Sequence, residues 1–162
     1  MPEPAGLLGW LEATPLSEAM RGNLWLYPIV EIFHIVGFVV LVGAVAMFDL
    51  RVLGFARHLP LDGLGRHLLR WSAAGLLLIV PAGAMMFSAH PHDFANNRVF
   101  QIKLALIAAA AANAVVFHAG VYRSVARWNR DAPAPALAKG QALASLALWI
   151  AVISCGRLLA YT

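Results

Sequence analysis

Charged residues are scarce in this chain of 162 residues. Asp, Glu, Lys and Arg together make up 12% of the sequence, whereas 61% of the residues are hydrophobic. A soluble domain has roughly 25% charged residues, so this composition excludes an ordinary soluble fold. The formal net charge is only +4, and the basic residues stand at the ends of apolar stretches rather than in patches. Nucleic acid is therefore not expected as a partner.

Cysteine and the common catalytic motifs are also lacking. Cys155 is the single cysteine, which excludes an internal disulfide and a metal site built from cysteine alone. No CxxCH pattern occurs, so covalent attachment of a c-type haem is excluded. The sequence has no HExxH, P-loop or nucleophile-elbow pattern, which are the signatures of common hydrolytic and nucleotide sites. Conventional hydrolase chemistry is not expected, and no catalytic residue is predicted.

Four long apolar stretches fill most of the sequence. About 20 mostly apolar residues are enough to cross the roughly 30 Å hydrocarbon core of a bilayer. The sequence therefore predicts an all-α transmembrane four-helix bundle, a single domain over residues 1–162, in contact with the lipid bilayer. The spans are predicted at about residues 24–48, 67–89, 99–121 and 141–160.

Two shorter features refine this architecture. The segment Ala5–Leu11 is apolar and contains Trp10, which predicts a short N-terminal helix at the membrane interface. The stretch Ala108–Ala112 gives the third span a run of consecutive alanines. Because small residues let a neighbouring backbone approach closely, this span is expected at the centre of the bundle.

The basic residues divide unequally between the two sides of the predicted bundle. Cytoplasmic loops of membrane proteins carry an excess of Lys and Arg. The first and third loops with their flanks hold most of these residues, so both loops are expected in the cytoplasm. Both termini then face outward, which in the inner membrane of a bacterium means the periplasm. The basic residues near these two loops are Arg51, Arg57, Arg66, Arg70, Arg123, Arg127, Arg130 and Lys139.

The outer half of the predicted bundle contains several ionisable side chains, which are costly inside a membrane and usually functional. Glu31 and His34 lie one turn apart on the first span, and Lys103 lies in the third. With a rise of about 1.5 Å per residue, these residues and Arg157 of the fourth span fall at similar depths. They form a candidate site for a quinone, a haem or protons, although the sequence alone does not fix which way their faces point.

A second polar group lies towards the cytoplasmic ends of the spans. His67 opens the second span and His118 closes the third, at comparable depth. Two histidines from different helices are the usual axial ligands of a membrane haem b, and arginines pair with its propionates. The sequence thus predicts haem b between His67 and His118, with Arg51 and Arg70 beside it. The alternative is that both histidines only cap helix ends. His34 differs from His118 by about 18 Å in depth, so it is a candidate ligand for a separate site.

Several short motifs stand between about residues 25 and 120: Glu31-x-x-His34, Asp49-Leu-Arg51-Val-Leu-Gly54, Arg70-Trp71 with Gly75, Asn97-x-x-Phe100-x-x-Lys103, and Phe117-His118. In these motifs the chain resembles a family of small bacterial inner-membrane proteins of unknown function with four predicted spans. The fourth span is similar only in hydropathy. The resemblance implies the four-span fold and membrane, and it implies no activity.

Three functions are compatible with these observations. The leading hypothesis is a cytochrome b-like subunit that holds haem b, with a quinone as a further candidate, and passes electrons between the quinone pool and a membrane or periplasmic redox partner. The first alternative is a non-catalytic accessory or anchoring subunit of a larger membrane complex. The second alternative is a small carrier that moves protons or ions through Glu31, His34 and Lys103.

Overall fold

The computed structural model describes residues 6–161, and its regular elements are all helical, as the sequence predicts. Four helices in this part of the chain are long and apolar enough to span a membrane, at Leu26–Leu53, Leu61–Ala89, Arg98–Ala119 and Ala136–Tyr161. The predicted start of the N-terminal helix at Ala5 lies outside the described residues. The helices are α1 (Gly6–Glu12), α2 (Pro15–Gly22), α3 (Leu26–Leu53), α4 (Leu61–Ala89), α5 (Pro91–Asn96), α6 (Arg98–Ala119) and α7 (Ala136–Leu158), with 3-10 helices at Val121–Arg127 and Leu159–Tyr161.

The first two spanning helices are longer than their apolar stretches. Helix α3 continues past the predicted end until Gly54, whose positive φ of 117° ends the helix in a left-handed cap that glycine adopts at little cost. Pro60 then precedes α4. The loop between them is therefore short, and Asp49 and Arg51 belong to α3 rather than to the loop.

The four spanning helices form two closely packed pairs. Helix α3 packs along α4, α6 packs along α7, and the pairs meet where α3 contacts α7. In the described part of the chain, α4 and α6 barely touch. The bundle is thus an open one, and we call the space between the two pairs the trough.

The α3–α4 pair is close because two glycines face each other. A Cβ atom on Gly37 would lie 2.9 Å from the carbonyl oxygen of Gly75, and one on Gly75 would lie 2.7 Å from the carbonyl oxygen of Gly37. Real Cβ atoms do not approach backbone atoms so closely. The absence of both side chains therefore sets the distance between these helices, as small residues commonly do in membranes.

The expectation that the third span lies at the centre of the bundle is wrong. Helix α6 packs mainly against α7, and only Ala110 and Phe117 of its residues are buried. Alanine permits close approach on one face but adds little contact area on the others. Helices α3 and α7 occupy the central positions instead, because α3 contacts α4 and α7, and α7 contacts α3 and α6.

Aromatic clusters bridge the trough at its two ends. At one end, Phe87 of α4 stacks on Phe100 of α6 with ring centroids 5.7 Å apart, and Phe94 of α5 packs against both. At the other end, Phe48 of α3 packs with Phe117 and Tyr122, alongside His118. The trough is therefore narrowed at both ends.

Candidate functional site

One cavity in the trough lies near the helix ends that carry the termini. It has a volume of about 480 Å³, and we call it the His34 cavity. The structure brings all four residues of the predicted outer group to its wall. It is lined by Tyr27, Glu31, His34, Ile35, Phe38 and Val39 of α3, Met86 of α4, Phe94 of α5, Lys103 of α6, and Val152, Ile153, Gly156, Arg157, Leu159 and Ala160 of α7 and its extension.

His34 is held in place by the neighbouring helix α4. Its Nδ1 lies 3.1 Å from the carbonyl oxygen of Ile79, and its Cε1 lies 3.1 Å from the position of a Cβ on Gly83. A carbonyl oxygen only accepts hydrogen bonds, so Nδ1 carries the hydrogen. In the neutral imidazole, Nε2 is then an unprotonated acceptor. The hydrogen bond from Nδ1 to the Ile79 carbonyl oxygen fixes the orientation of the ring.

Lys103 supplies a positive charge to the same cavity from α6. Its Nζ lies 3.7 Å from the position that a Cβ would take on Gly156 of α7. Among the residues the structure describes, no carboxylate lies within ion-pair distance of Lys103. An ammonium group inside a membrane needs an anionic or hydrogen-bond-accepting partner. The described residues offer Lys103 no ion pair, so a bound molecule could provide this acceptor.

The other charged residues lie closer to the mouth of the His34 cavity. Glu31 is exposed, one turn before His34 on α3. Arg157 donates a hydrogen bond to the Tyr161 hydroxyl, and its guanidinium lies 4.8 Å from the centre of that ring. The guanidinium of Arg157 thus already interacts with Tyr161, whereas the described residues give Lys103 no ion pair. Lys103 is therefore the cation that is more available to a bound molecule.

The rest of the His34 cavity is apolar. Phe38 lies one turn beyond His34 on α3 and packs edge-on against Trp149 of α7, with ring centroids 5.9 Å apart. Phe94 approaches from α5. A cavity with a few polar groups and otherwise apolar walls fits an amphipathic small molecule.

The second cavity lies at the other end of the trough, and we call it the Asp49 cavity. Its volume is about 360 Å³. Its apolar wall is interrupted by polar side chains from α3, α6 and α7, including Asn113, whose Nδ2 donates to the backbone oxygen of Gln141 at 3.0 Å. The polar residues that line it are Asp49, Ser72, Asn113, His118, Gln141 and Ser145.

The two histidines predicted to hold haem b lie on faces that the structure does not bring together. His118 lines the Asp49 cavity, and its Nδ1 lies 2.8 Å from the Ala114 carbonyl oxygen. His67 is exposed and does not line this cavity, because Gly65 and Leu68 present the opposite face of α4 to it.

His67 and Arg70 are both on the exposed surface of α4. The indole Nε1 of Trp71 donates to His67 Nε2 at 3.1 Å, so that ring nitrogen is already occupied. Haem ligation by His67 and His118 stays a prediction, and it requires that His67 leave Trp71 and that α4 rotate or move.

Arg51, predicted beside a haem propionate, is buried and binds the loops. Its Nε donates to the Leu59 carbonyl oxygen at 2.8 Å, and its Nη2 donates to the carbonyl oxygens of Arg57 and Asn129 at 2.9 Å each. The guanidinium thereby joins the first and third loops. Such a fork of donors to several carbonyls is specific to arginine.

Tyr122 closes the Asp49 end of the trough from the 3-10 helix that follows α6. Its hydroxyl oxygen lies 2.8 Å from the position of a Cβ on Gly65, so only glycine leaves room for it. Burial raises the pKa of the Tyr122 phenol, and the nearby Asp62 carboxylate raises this pKa further. Tyr122 is therefore a neutral hydroxyl over the physiological range of pH.

No protein-family model, curated protein or solved structure matches this chain. The resemblance to the family of four-span proteins stays a prediction. Within residues 6–161, no group of three or more His, Cys, Asp or Glu side chains is placed to hold a metal ion.

Several residues that line the cavities are not candidates from the sequence alone. Asp49 stands just beyond the predicted end of the first span, and Gln141 and Ser145 belong to no motif. The signal for the last two was their spacing of four residues, which places two polar side chains on one face of an otherwise apolar helix.

Proposed function

We propose that this chain is a membrane-embedded subunit of an electron-transfer system and that it binds the headgroup of a quinone or quinol in the His34 cavity. The observation that carries the proposal is the pairing of His34, an oriented acceptor, with Lys103, a cation without an ion-pair partner among the described residues. Both line one apolar cavity.

The chemistry of a quinone headgroup matches these two groups. A quinone offers carbonyl oxygens that accept hydrogen bonds, and the Lys103 ammonium is a donor. A quinol offers hydroxyl hydrogens, and His34 Nε2 is an acceptor held in position by the bond between Nδ1 and Ile79. The apolar wall around Phe38 suits the ring and the first units of an isoprenoid tail.

The charges in the His34 cavity favour a neutral headgroup over an anionic lipid. Lys103 and Arg157 attract anions, but Glu31 lines the same cavity and opposes them. An anion without a hydrogen to donate would also form no hydrogen bond with the unprotonated Nε2 of His34. A headgroup that both donates and accepts, without net charge, uses all of these side chains.

We propose haem b as a redox partner of the quinone. His34 Nε2 has the free lone pair and the backbone-held Nδ1 that an axial ligand requires, but ligation of iron by this nitrogen would replace its hydrogen bond to a quinol, so a haem at His34 is an alternative to the quinone in this cavity. His67 and His118 are the other proposed ligands, subject to the movement of α4 described above. Bound haem would exchange electrons with the quinone, and the final acceptor or donor would be a redox protein in the membrane or the periplasm.

We place this subunit in the inner membrane of a bacterium with both termini in the periplasm. An even number of spans puts both termini on the same side. Basic residues are concentrated in the loops after α3 and before α7, which supports a cytoplasmic position for these loops by the positive-inside rule. The His34 cavity would then open near the periplasmic side.

Binding of a short-tailed benzoquinone to the purified chain in lipid nanodiscs tests the proposal. Titration is followed by quenching of tryptophan fluorescence, since Trp149 packs on Phe38 of the cavity wall. Loss of a hydrogen bond to a charged group costs about 1.5–3 kcal/mol, so Lys103→Met should weaken binding by about 10- to 100-fold. His34→Ala should weaken binding of the quinol more than that of the quinone.

The sequence provides a matched control for this experiment. Lys139 is the other lysine, and it lies in the first turn of α7, outside both cavities. Lys139→Met should leave the affinity unchanged. Equal weakening by both lysine variants, or quenching that does not saturate, would contradict a quinone site at His34. A visible spectrum of the same sample, oxidised and then reduced with dithionite, tests for haem b independently.

A further inference from the structure

The Asp49 cavity contains a carboxyl group that is buried without a compensating cation. Asp49 is only 6% exposed, and Ser145 of α7 is a polar neighbour of its carboxyl group on the cavity wall. Its Oδ2 has no hydrogen-bond partner among the described residues. An ionised carboxylate in this environment would be costly, because burying a charge requires both a counter-charge and hydrogen bonds.

The charged and titratable groups around Asp49 do not supply that counter-charge. Arg51 lies two residues further along α3, but its guanidinium is engaged by backbone carbonyls of the loops. Of the cavity-lining residues on α4, α6 and α7, His118 is the one with an ionisable side chain, and its Nδ1 bonds to the Ala114 carbonyl oxygen. Tyr122, beside His118, is neutral.

A second unpartnered acceptor lies on the same wall. The Oε1 atom of Gln141 is buried and has no partner within the described residues. Gln141 precedes Ser145 by one helical turn on α7, and both residues line the cavity together with Asp49. Two acceptors cannot bond to each other, but a hydrogen on Asp49 Oδ2 would supply the missing donor.

We propose that Asp49 is a neutral carboxylic acid and that, with Gln141 and Ser145, it forms a proton-binding site within the membrane. The proton resides on Oδ2, where it can be donated to the amide oxygen of Gln141, while the Ser145 hydroxyl donates to the other carboxyl oxygen. This site does not depend on a quinone in the His34 cavity.

Hydrophobic molecules reach this site from the lipid through the side of the bundle. Helices α4 and α6 barely touch, and the Asp49 cavity lies between them with mostly apolar walls. Leu76 of α4 and Ile107 of α6 line its middle. A hydrophobic carbodiimide is therefore a suitable probe, because it enters from the lipid and reacts with a protonated carboxylic acid.

The reaction of the probe requires a carboxylic acid in an apolar place. The acid proton moves to one carbodiimide nitrogen, and the carboxylate oxygen bonds to the central carbon. The O-acylisourea that forms is hydrolysed where water is plentiful. Where water is scarce, its acyl group migrates to nitrogen and gives a stable N-acylurea, with no leaving group and no change of oxidation state.

The test is carbodiimide labelling of the whole chain in nanodiscs, followed by peptide mass mapping. We expect an N-acylurea on Asp49 whose yield falls as the pH is raised, whereas the exposed Glu31 is labelled less stably. Asp49→Asn should abolish the main adduct, and Glu31→Gln should not. Mapping of the wild-type chain locates the adduct even if Asp49→Asn fails to fold.

Infrared spectroscopy provides an independent measurement of the bound proton. A protonated acid has a carbonyl band separate from that of a carboxylate, and the band of Asp49 should be absent in Asp49→Asn. If neither label nor band is found, the proposal is overturned, and an ionised Asp49 accepts a hydrogen bond from the Gln141 amide nitrogen instead. A band without a label supports the bound proton and overturns the lateral access path.

Discussion

Replacement of Gly37 by alanine should separate α3 from α4. The new Cβ would lie 2.8 Å from the Leu78 Cβ and 2.9 Å from the Gly75 carbonyl oxygen, against an ordinary contact of at least 3.4 Å. Neither of these atoms belongs to the flexible end of a side chain, so the helices themselves must shift, by about 0.6 Å, the difference between 3.4 and 2.8 Å.

The cost of this shift can be set against the gain in helix propensity. Overpacking of a close contact costs about 1–3 kcal/mol, and replacing glycine by alanine in a helix returns up to about 1 kcal/mol. We therefore expect Gly37→Ala to lower the free energy of unfolding by about 1–2 kcal/mol. That change corresponds to a factor of roughly 5–30 in the ratio of folded to unfolded protein.

Reversible unfolding in mixed micelles of increasing SDS content, followed by circular dichroism, measures this free energy. Gly43 on the same helix is the matched control, because a Cβ there meets nothing within 4 Å. Gly43→Ala should be neutral or slightly stabilising. If Gly37→Ala is as stable as Gly43→Ala, then the glycine contact does not set the spacing of α3 and α4 and the packing argument is refuted.

Three further substitutions test the site and the loops. Gly83→Ala places a Cβ 3.1 Å from His34 Cε1, so the imidazole ring must turn away. Turning the ring off its preferred rotamer costs about 0.5–1.5 kcal/mol, and the quinol affinity in the fluorescence titration should therefore fall by roughly two- to tenfold. Arg51→Lys loses most of the donors to the loop carbonyls and should lower the free energy of unfolding by about 2–4 kcal/mol. Trp128 is 3% exposed, and Trp128→Ala should lower the free energy of unfolding by about 3–5 kcal/mol. Unfolding in SDS measures the effects of Arg51→Lys and Trp128→Ala, and an unchanged midpoint in either variant would contradict the structural role given to that residue.

The spans were predictable because crossing a bilayer depends mainly on composition over about 20 residues. Their ends were less predictable, because α4 begins at Leu61 and contains Asp62 and Arg66 before the apolar stretch. Hydropathy detects the part of a helix that lipid surrounds. It does not detect turns that continue the same helix into water and pack on loops.

Depth in the membrane was predictable from the helical rise, but the direction of a side chain was not. Glu31, His34 and Lys103 were expected at similar depth, and the structure brings them to one cavity. His67 and His118 were also expected at similar depth, yet they lie on faces that do not meet. Equal depth is necessary for a shared site, and the rotation of each helix decides the rest.

Helix rotation in this bundle follows from the glycines and not from the polar residues. Gly37 and Gly75 face each other at a close approach of the two backbones, which a Cβ on either residue would obstruct. That contact turns the Gly65–Leu68 side of α4 to the trough and leaves His67 on the outside. The small residues on two helices therefore indicate which side chains face the trough, and the positions of the histidines in the sequence do not.

Helix α3 is the wall that the two cavities share. His34 and Asp49 are fifteen residues apart on it, about 22 Å along the axis and roughly on one face. The α3 side chains between them that line the cavities, such as Leu41 and Val45, are apolar, so α3 offers no chain of polar groups from one end to the other. A proton held at Asp49 and a headgroup held at His34 are therefore separate equilibria, and a change that abolishes one leaves the other in place.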